Sequence, residues 1–440
     1  MESDDLAGPL IPTPDRLPPP PPHPSRSSLL LPRDLPVDRS IRRLQSVLGL
    51  LGFPLSSAPL DIFLSVGEFL VLGVAFPSAA VFLLSRCEGS RIERFDIVIL
   101  VSQGVAAAIS LVCVSRNLLK YGIRRLLFVS ERYGRVDRFQ KEYVRKIQDF
   151  FLLSWWILPC FLVKTACEIY RFIYISHVSV WRSVAASVAS ITSWTYLTTI
   201  YLSSCTFFNL VCNVQIVHLE DYGKTLEQDA DTLMYVEEHL QLRYNLSKIS
   251  HRFRIFLLLL FVSVTASQFV ILFETTGYGG TINFTIAGDI AVSRATSFIQ
   301  VAGVVLYLHA AAKISHRAQG IASLASRWHA LVTCSSSDPP LTRCTNSSEN
   351  LEAFPANLLW TDYSESDVES FDNLMVHKNS QLASFLPYHK RNALVMYLMS
   401  NPGGITIFGL TVGRALVSTI FSLELTLVLF VLGETMSVSS

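Results

Sequence analysis

The stretch that decides the fold is the last long apolar one, Ile405 to Leu432, which reads ITIFGLTVGRALVSTIFSLELTLVLFVL. It runs for about 28 residues, whereas an α-helix needs roughly 20 to span a bilayer. At 100° per residue one side of this helix is a polar seam formed by Thr411, Arg414, Ala415, Ser418, Ser422 and Thr426. Hydrocarbon cannot solvate such a seam, so it must face protein or water. The sequence therefore predicts a membrane helix that belongs to an assembly.

Two glycines in the same stretch favour close contact with another helix. Gly409 and Gly413 are four residues apart, which places both on one side of a helix as a small-xxx-small pair. We therefore expect this helix to pack tightly against a neighbour near its start.

The composition of the whole chain agrees with a membrane protein. The 440 residues are 50% hydrophobic and only 16% charged, and soluble proteins carry about a quarter charged residues. The chain is predicted to be an all-α membrane protein with seven transmembrane helices. The predicted spans are Ile62–Leu84, Ile97–Val114, Phe151–Ile175, Val184–Cys212, Ile255–Phe273, Ile290–Ala312 and Ile405–Leu432.

The distribution of Lys and Arg predicts the orientation. The loop between the second and third spans is rich in Lys and Arg from Arg116 to Lys146, whereas the loop after the fifth span and the C-terminal tail contain none. The positive-inside rule then places the N-terminus in the cytosol and the C-terminus outside. The sequon at Asn283 lies on the outer side and is a glycosylation candidate. We take the plasma membrane as the default location.

The chain is predicted to have four parts. The first is a disordered, proline-rich cytosolic tail whose basic amphipathic segment, residues 39–53, is expected to lie as a helix on the membrane surface. Six spans with a helical cytosolic loop follow, then a disordered acidic insert, then a cytosolic helix and the seventh span. The parts are residues 1–60, 61–332 with the loop at 213–254, 333–372, and 373–440.

The loop at 213–254 is predicted to extend the fourth and fifth spans into the cytosol as two helices. Apolar residues recur there at spacings of three or four, with a turn expected at Asp221–Gly223. Similar stripes follow the sixth span and precede the seventh, so we expect all four extensions to pack together. Leu394 and Leu398 belong to the last stripe, and we expect them to pack between subunits as well as within one.

Several charged residues fall inside the predicted spans. Lys164 and Glu168 are one helical turn apart and are expected to neutralise each other. Glu424 and Arg294 both lie toward the outer ends of their spans, so we expect them to pair, with Arg182 or a water-filled vestibule as competing partners for Glu424. Arg414 lies within the seam and is expected to turn aside to Glu68 or to inner-leaflet headgroups.

Topology and local motifs together resemble the insect odorant and gustatory receptor channel superfamily, and more closely its plant gustatory-receptor-like branch, long classed as a domain of unknown function. The resemblance covers about Arg42 to Met436. It rests on inverted seven-span topology, on the loop motif His239-Leu240-x-x-Arg243-Tyr244-x-Leu246-x-Lys248-Ile249-x-x-x-Phe253, and on a helix that passes through Asn401-Pro402-Gly403-Gly404 into the last span. The Thr-Tyr and Gln-Phe pairs that usually end animal gustatory receptors are absent from residues 422–432.

This resemblance implies a homotetrameric, ligand-gated cation channel. The last helices would line a central pore through Thr411, Ser418, Ser422 and Thr426, and a small-molecule pocket would open outward among the other spans. If Arg414 does not turn aside, the alternatives are a pore that favours anions or no pore. Membrane lipid and further copies of the chain are the expected partners.

Other functional classes have less support in the sequence. It contains no HExxH, Gly-rich phosphate loop or G-x-S-x-G motif, so we expect no enzyme, metal, cofactor or nucleic-acid partner. A secondary transporter that uses the buried charges is one alternative, although the two halves show no evident inverted repeat. A non-conducting membrane receptor or scaffold is the other.

Overall fold

The computed structural model describes residues 36–56, 58–85, 90–127, 137–155, 157–175, 180–226, 232–276, 284–336 and 388–438. The predicted tail before residue 36, the sequon at Asn283 and the predicted insert at 333–372, apart from its first four residues, lie outside these ranges. So do the first residues of the part predicted at 373–440.

The described chain is almost wholly helical, as expected. Its helices and its single β-hairpin follow in the order α1 Pro36–Leu50, α2 Pro59–Leu70, a π-helical turn Val71–Ala75, α3 Phe76–Ser85, α4 Ser90–Tyr121, α5 Ile123–Leu126, α6 Asp137–Ser154, α7 Ile157–Ile175, α8 Val180–Leu226, α9 Thr232–Thr276, α10 Phe284–Ser336, α11 Tyr388–Ser400, β1 Thr406–Ile407, β2 Leu410–Thr411 and α12 Arg414–Val438.

Five helical segments of the described chain are long and apolar enough to cross a bilayer. They correspond to the first, second, fourth, fifth and sixth predicted spans: Pro59–Phe82, Ile97–Tyr121, Val184–Leu226, Met234–Phe273 and Thr296–Ala330. The predicted third span begins in the wrong place, because residues 151–154 close α6 and a new helix, α7, begins at Ile157. α7 carries three charged side chains, Lys164, Glu168 and Arg171. Crossings by α7 and α12 remain predictions.

Three helices are far longer than a membrane is thick. α8, α9 and α10 contain 47, 45 and 53 residues, and at about 1.5 Å per residue each is more than twice as long as a hydrocarbon core of roughly 30 Å is thick. α8 and α9 thus continue as single helices beyond the predicted fourth and fifth spans, whereas the location of these extensions in the cytosol stays a prediction. We call residues 213–226, 232–254 and 313–336 together with α11, all of which are predicted to lie outside the membrane, the extramembrane bundle.

The predicted turn at Asp221–Gly223 is wrong, since α8 continues to Leu226 and α9 begins at Thr232. Gly223 serves close packing, because a Cβ atom there would meet Leu324 of α10 at 3.3 Å. Tyr222 is fully buried, and its hydroxyl donates to the Tyr235 carbonyl at 3.2 Å. Tertiary packing keeps this segment helical.

α1 uses its apolar side differently from the prediction. Val37, Ile41, Leu44 and Leu48 are buried, and α1 packs against α6 and α5. The Arg124 guanidinium, on α5, donates to Asp38 of α1 at 2.5 Å. The helix expected on the membrane surface therefore has its apolar side covered by protein, which leaves that side unavailable for lipid.

Candidate functional site

The segment between α11 and α12 is clamped by two long helices. The Thr406 amide donates to Ser250 Oγ of α9 at 3.0 Å, and the Ile405 amide donates to Ser315 Oγ of α10 at the same distance. Gly403 fits tightly, because a Cβ atom there would lie 3.0 Å from that of Ala318. This junction, residues 401–413, therefore joins the extramembrane bundle to the start of α12.

The loop motif of the sequence analysis supplies one wall of the junction. On α9, Arg243 Nη1 donates to Asn401 Oδ1 at 2.5 Å, and the His239 imidazole lies 3.3 Å from the Tyr397 hydroxyl on α11. Leu246, on the same side of the helix, lies within 4 Å of the Cβ position at Gly403. The motif residues on α9 thus contact α11 and the segment that leads from α11 into the last helix.

The junction contains a β-hairpin where the sequence predicted helix. Thr406 pairs with Thr411 and Ile407 with Leu410. Phe408 and Gly409 form the turn with φ of 49° and 89°, and a bulky residue rarely adopts such a φ. α12 begins only at Arg414, so Thr411 lies in a strand and not on the helix that was predicted to line a pore. The Gly409–Gly413 pair is likewise not on a helix, and Gly409 supplies the turn.

The later start also changes the depth of Arg414. As the first residue of α12 it lies at the end of the helix, instead of about 13 Å inside a helix that began at Ile405. Its side chain is exposed. Glu68, which was predicted as one partner of Arg414, lies beside Gly52 and the Tyr196 hydroxyl.

α12 has one side packed on its own chain and one side open. Leu416, Val417 and Ile420 pack against the core. Ser418, Ser422 and Thr426 lie roughly opposite and are exposed, and leucines such as Leu425 and Leu429 lie between them. The three remaining residues of the predicted lining thus share a side that their own subunit does not cover.

Glu424 forms a hydrogen bond with α9. Its carboxylate accepts a hydrogen bond from Thr265 Oγ1 at 2.9 Å. Glu424 lies ten residues, or about 15 Å, after the start of α12, and its depth in a membrane stays a prediction. The side chain of Arg294 is outside the described residues, so pairing between Arg294 and Glu424 stays a prediction.

Lys164 and Glu168 form the buried pair that their spacing predicts. Lys164 Nζ lies 2.5 Å from Glu168 Oε1, with 8% and 4% of the side chains exposed. Ser190 Oγ of α8 donates to the same carboxylate oxygen at 2.9 Å. The pair thereby connects α7 to α8.

A second polar cluster lies among α4, α8, α9 and α10, and the sequence analysis missed it. The Thr296 hydroxyl accepts bonds from Gln103 Nε2 and Trp194 Nε1, both at 3.2 Å. Gln300 Oε1 accepts bonds from Ser267 at 3.0 Å and from Gln268 at 3.3 Å. The sequence contained a signal for this cluster, namely glutamine residues inside apolar spans. Burying an uncharged amide there is costly unless it forms hydrogen bonds.

Gln300 Nε2 lacks a hydrogen-bond partner within the described chain, and so does Ser193 Oγ of the residue that precedes Trp194 in sequence. Both side chains are almost fully buried. A buried donor without a partner costs about 1–3 kcal/mol, which a bound water or ligand oxygen would offset.

Leu394 and Leu398 lie in the core of a single chain. Each is 1% exposed, so neither has side-chain surface left for another subunit. The contact between subunits predicted for them is therefore wrong. The open side of α11 carries Met396 and Met399 instead, each 58% exposed.

No group of His, Cys, Asp and Glu in the described ranges has the geometry of a metal site.

Comparisons with known proteins agree with this architecture. Two solved structures of the insect olfactory receptor OR5 from Machilis hrabei, one in complex with eugenol, each match with a TM-score of 0.57 at 13% identity. Each match covers 90% of this chain and 98% or 97% of the receptor chain. No curated protein matches. The model of the protein family of unknown function DUF3537 matches residues 39–423, so the chain belongs to that family.

Proposed function

We propose that this protein is a ligand-gated cation channel in which four copies surround a pore lined by α12. The observation that carries the proposal is the open polar side of α12. Ser418, Ser422 and Thr426 face away from their own subunit, and lipid is a poor environment for three hydroxyl groups. In a ring of subunits the same side meets water at the axis.

The mixed chemistry of that side suits a gated path. Hydroxyl groups interact with hydrated ions, whereas the leucines between them favour closure by dewetting. Thr426 Oγ1 donates to the Ser422 carbonyl at 2.8 Å, which leaves its oxygen lone pairs directed outward as acceptors for cations. Arg414, at the end of the helix, lies at headgroup depth and outside the narrow part of such a pore.

We expect four-fold assembly to use an apolar surface of the extramembrane bundle. Large apolar side chains are exposed there on two adjacent helices, namely Leu240 and Tyr244 of α9 and Met396 and Met399 of α11. Apolar side chains in water favour association, so we assign the subunit contact to these residues. The expected topology has seven spans, the N-terminus in the cytosol and the C-terminus outside.

The polar cluster around Thr296 and Gln300 is our candidate ligand site. Its Gln300 amide, whose Nε2 has no partner within the described chain, is suited to a small molecule with a hydrogen-bond acceptor. Trp194 adds an aromatic wall. Eugenol, which the insect receptor binds in one of the matched structures, is a reasonable first probe. The proposal includes no catalytic activity.

The decisive experiment is cysteine accessibility on α12. Ser418→Cys and Ser422→Cys are made separately, and the protein is treated in liposomes with a charged, membrane-impermeant thiol reagent. Labelling is read by intact mass, so it needs no opening ligand. Current across planar bilayers, before and after the reagent, is recorded in parallel. We expect the reagent to label both cysteines and to block the current of both variants.

Val417→Cys is the matched control. Val417 adjoins Ser418 in sequence but packs on its own chain, so it should stay unlabelled. Leu423 does not serve as a control, because it is itself 65% exposed. Equal labelling at Val417 and Ser418, or current that modification leaves unchanged at both serines, would remove α12 from the pore.

A secondary transporter is the second candidate, and the Lys164–Glu168 pair is the observation in its favour. A transport cycle would need the pair to open and reclose. The pair is buried and further fixed by Ser190, which suits a structural contact better. Replacing both charges, as in Lys164→Met with Glu168→Leu, should leave conduction intact, whereas it would abolish coupled transport.

A further inference from the structure

A groove lies between the end of α1 and the first candidate membrane span. Its volume is about 600 Å³, and it is lined by residues 49 and 52–55 on one side and by residues 61, 63–65, 67 and 68 of α2 on the other. Ligand pockets in proteins measure roughly 300–1,000 Å³, so the space is large enough for a small molecule. We call it the α1–α2 groove.

The two walls of the groove are joined at Gly52. The hydroxyl of Ser65, a buried residue of α2, donates to the Gly52 carbonyl. Gly52 has a φ of 82°, which favours glycine, and a Cβ atom there would lie 3.1 Å from Glu68 Oε2. The absence of a side chain at Gly52 therefore leaves room for the Glu68 carboxylate at the groove.

Glu68 places a carboxylate inside a candidate membrane span. It lies nine residues after the start of the span Pro59–Phe82, or about 14 Å along the helix, and its side chain is half-buried. Within the described ranges no Lys or Arg forms a salt bridge with Glu68, and Tyr196, which lies beside it, carries no positive charge. An ionised carboxylate inside a span is costly unless it is paired, so a cation bound in the groove would be stabilised.

The rest of the lining favours an organic cation. Phe53 and Phe63 both line the groove, and aromatic rings attract ammonium groups while their apolar surface suits a hydrocarbon body. Asp61 also lines it, on the same side of α2 as Glu68 and seven residues earlier. A metal ion would use only the carboxylates. An aminophospholipid would bring its phosphate beside two carboxylates, and these like charges would repel each other.

We propose that the α1–α2 groove binds a small organic amine in its protonated form. The ammonium group donates hydrogen bonds to the Glu68 carboxylate, and the apolar body of the amine lies against Phe53 and Phe63. The groove is separate from the polar cluster around Thr296 and Gln300, and binding is measured without current. The channel proposal and this inference can therefore fail independently of each other.

The test is equilibrium dialysis of radiolabelled 2-phenylethylamine against the purified full chain in neutral detergent, at about pH 7, where an alkylamine is protonated. A hydrogen bond to a charged group contributes about 1.5–3 kcal/mol, or roughly 10- to 150-fold in affinity. We therefore expect Glu68→Gln to weaken binding about ten-fold or more. Unlabelled 2-phenylethanol, which has nearly the same shape without the charge, should compete with the amine for the native chain about ten-fold more weakly or worse.

Gly67 allows a second test that keeps every charge. It lines the groove, and an added Cβ atom there would meet nothing within 4 Å. Gly67→Leu should therefore occupy the groove without a clash at its Cβ atom, and leucine is a better helix former than glycine. We expect this variant to fold and to lose saturable binding of the amine.

Two variants serve as matched controls. Gly104→Leu makes the same replacement on α4, where an added Cβ atom also meets nothing within 4 Å. Glu237→Gln removes an exposed carboxylate from the extramembrane bundle. Both variants should bind the amine as the native chain does.

Four results would overturn the inference. The first is equal affinity of the native chain and Glu68→Gln for the amine, and the second is unchanged binding by Gly67→Leu. The third is competition by 2-phenylethanol as strong as that by unlabelled amine. The fourth is displacement of the amine by dioctanoyl phosphatidylethanolamine at equal concentration, which would indicate a lipid in the groove. If Glu68→Gln is unstable, Gly67→Leu and the comparison of amine with alcohol on the native chain still decide.

Discussion

Helix α11 allows a matched test of which residues hold one chain together and which join its copies. Leu394 and Leu398 are 1% exposed, whereas Met396 and Met399 on the same helix are 58% exposed. All four side chains are large and apolar, so intrinsic helix propensity differs little among them. If replacement of the two pairs changes stability by different amounts, the difference therefore reports how deeply each pair is buried.

The expected magnitudes are well separated. A Leu→Ala change in a packed core costs about 2–5 kcal/mol, from the lost transfer free energy and the cavity left behind. The free energy of unfolding of a folded protein is about 5–15 kcal/mol, so a Leu→Ala change at either position would remove a large share of it. At an exposed position the same kind of truncation usually changes stability by less than about 0.5 kcal/mol.

The assay combines chemical unfolding of the detergent-solubilised protein with native mass. We expect Leu394→Ala and Leu398→Ala each to lower the unfolding midpoint clearly. Met396→Ala with Met399→Ala should keep the midpoint and shift the mass distribution from tetramer toward monomer. Unchanged unfolding of Leu398→Ala together with loss of the tetramer would refute the assignment of Leu398 to the core of one chain.

Three further predictions concern the junction, pH and α12. Ser250→Ala should lower stability by about 1–3 kcal/mol because it leaves a part-buried backbone amide unpaired, whereas the exposed Ser247→Ala on the same helix should not. Burial, and secondarily the Arg243 guanidinium, lowers the pKa of His239 to about 4. The unfolded chain therefore takes up this proton first, and the stability present above pH 6.5 should fall progressively toward pH 4; His239→Gln should flatten that part of the profile. Glu424→Gln should keep its bond to α9 and the native expression level, whereas Glu424→Leu should lower expression of folded protein.

Much of the architecture follows from the sequence because hydrocarbon imposes simple rules. Long apolar runs identify five of the predicted spans as helices that can cross a bilayer. Apolar spacing also predicts the helical extensions of α8 and α9. The spacing of Lys164 and Glu168 predicts their contact, since residues four apart on a helix are neighbours. Each of these features depends only on residues that are close to each other in sequence.

The errors fall where a contact with a distant part of the chain decides the structure. Ile405 to Gly413 is apolar enough for a helix, yet Ser250 and Ser315 bind its backbone amides and keep it extended. Gly223 suggests a turn in the sequence, but it lies within α8 and allows the close approach of Leu324 of α10. The spacing of Leu394 and Leu398 predicts that both lie on one apolar side of a helix. It does not indicate whether that side packs within one chain or against another subunit. The sequence by itself thus determined which segments are apolar helices, because that property is local. Only the tertiary structure decided where the last helix begins and which of its sides is open, because those depend on long-range packing.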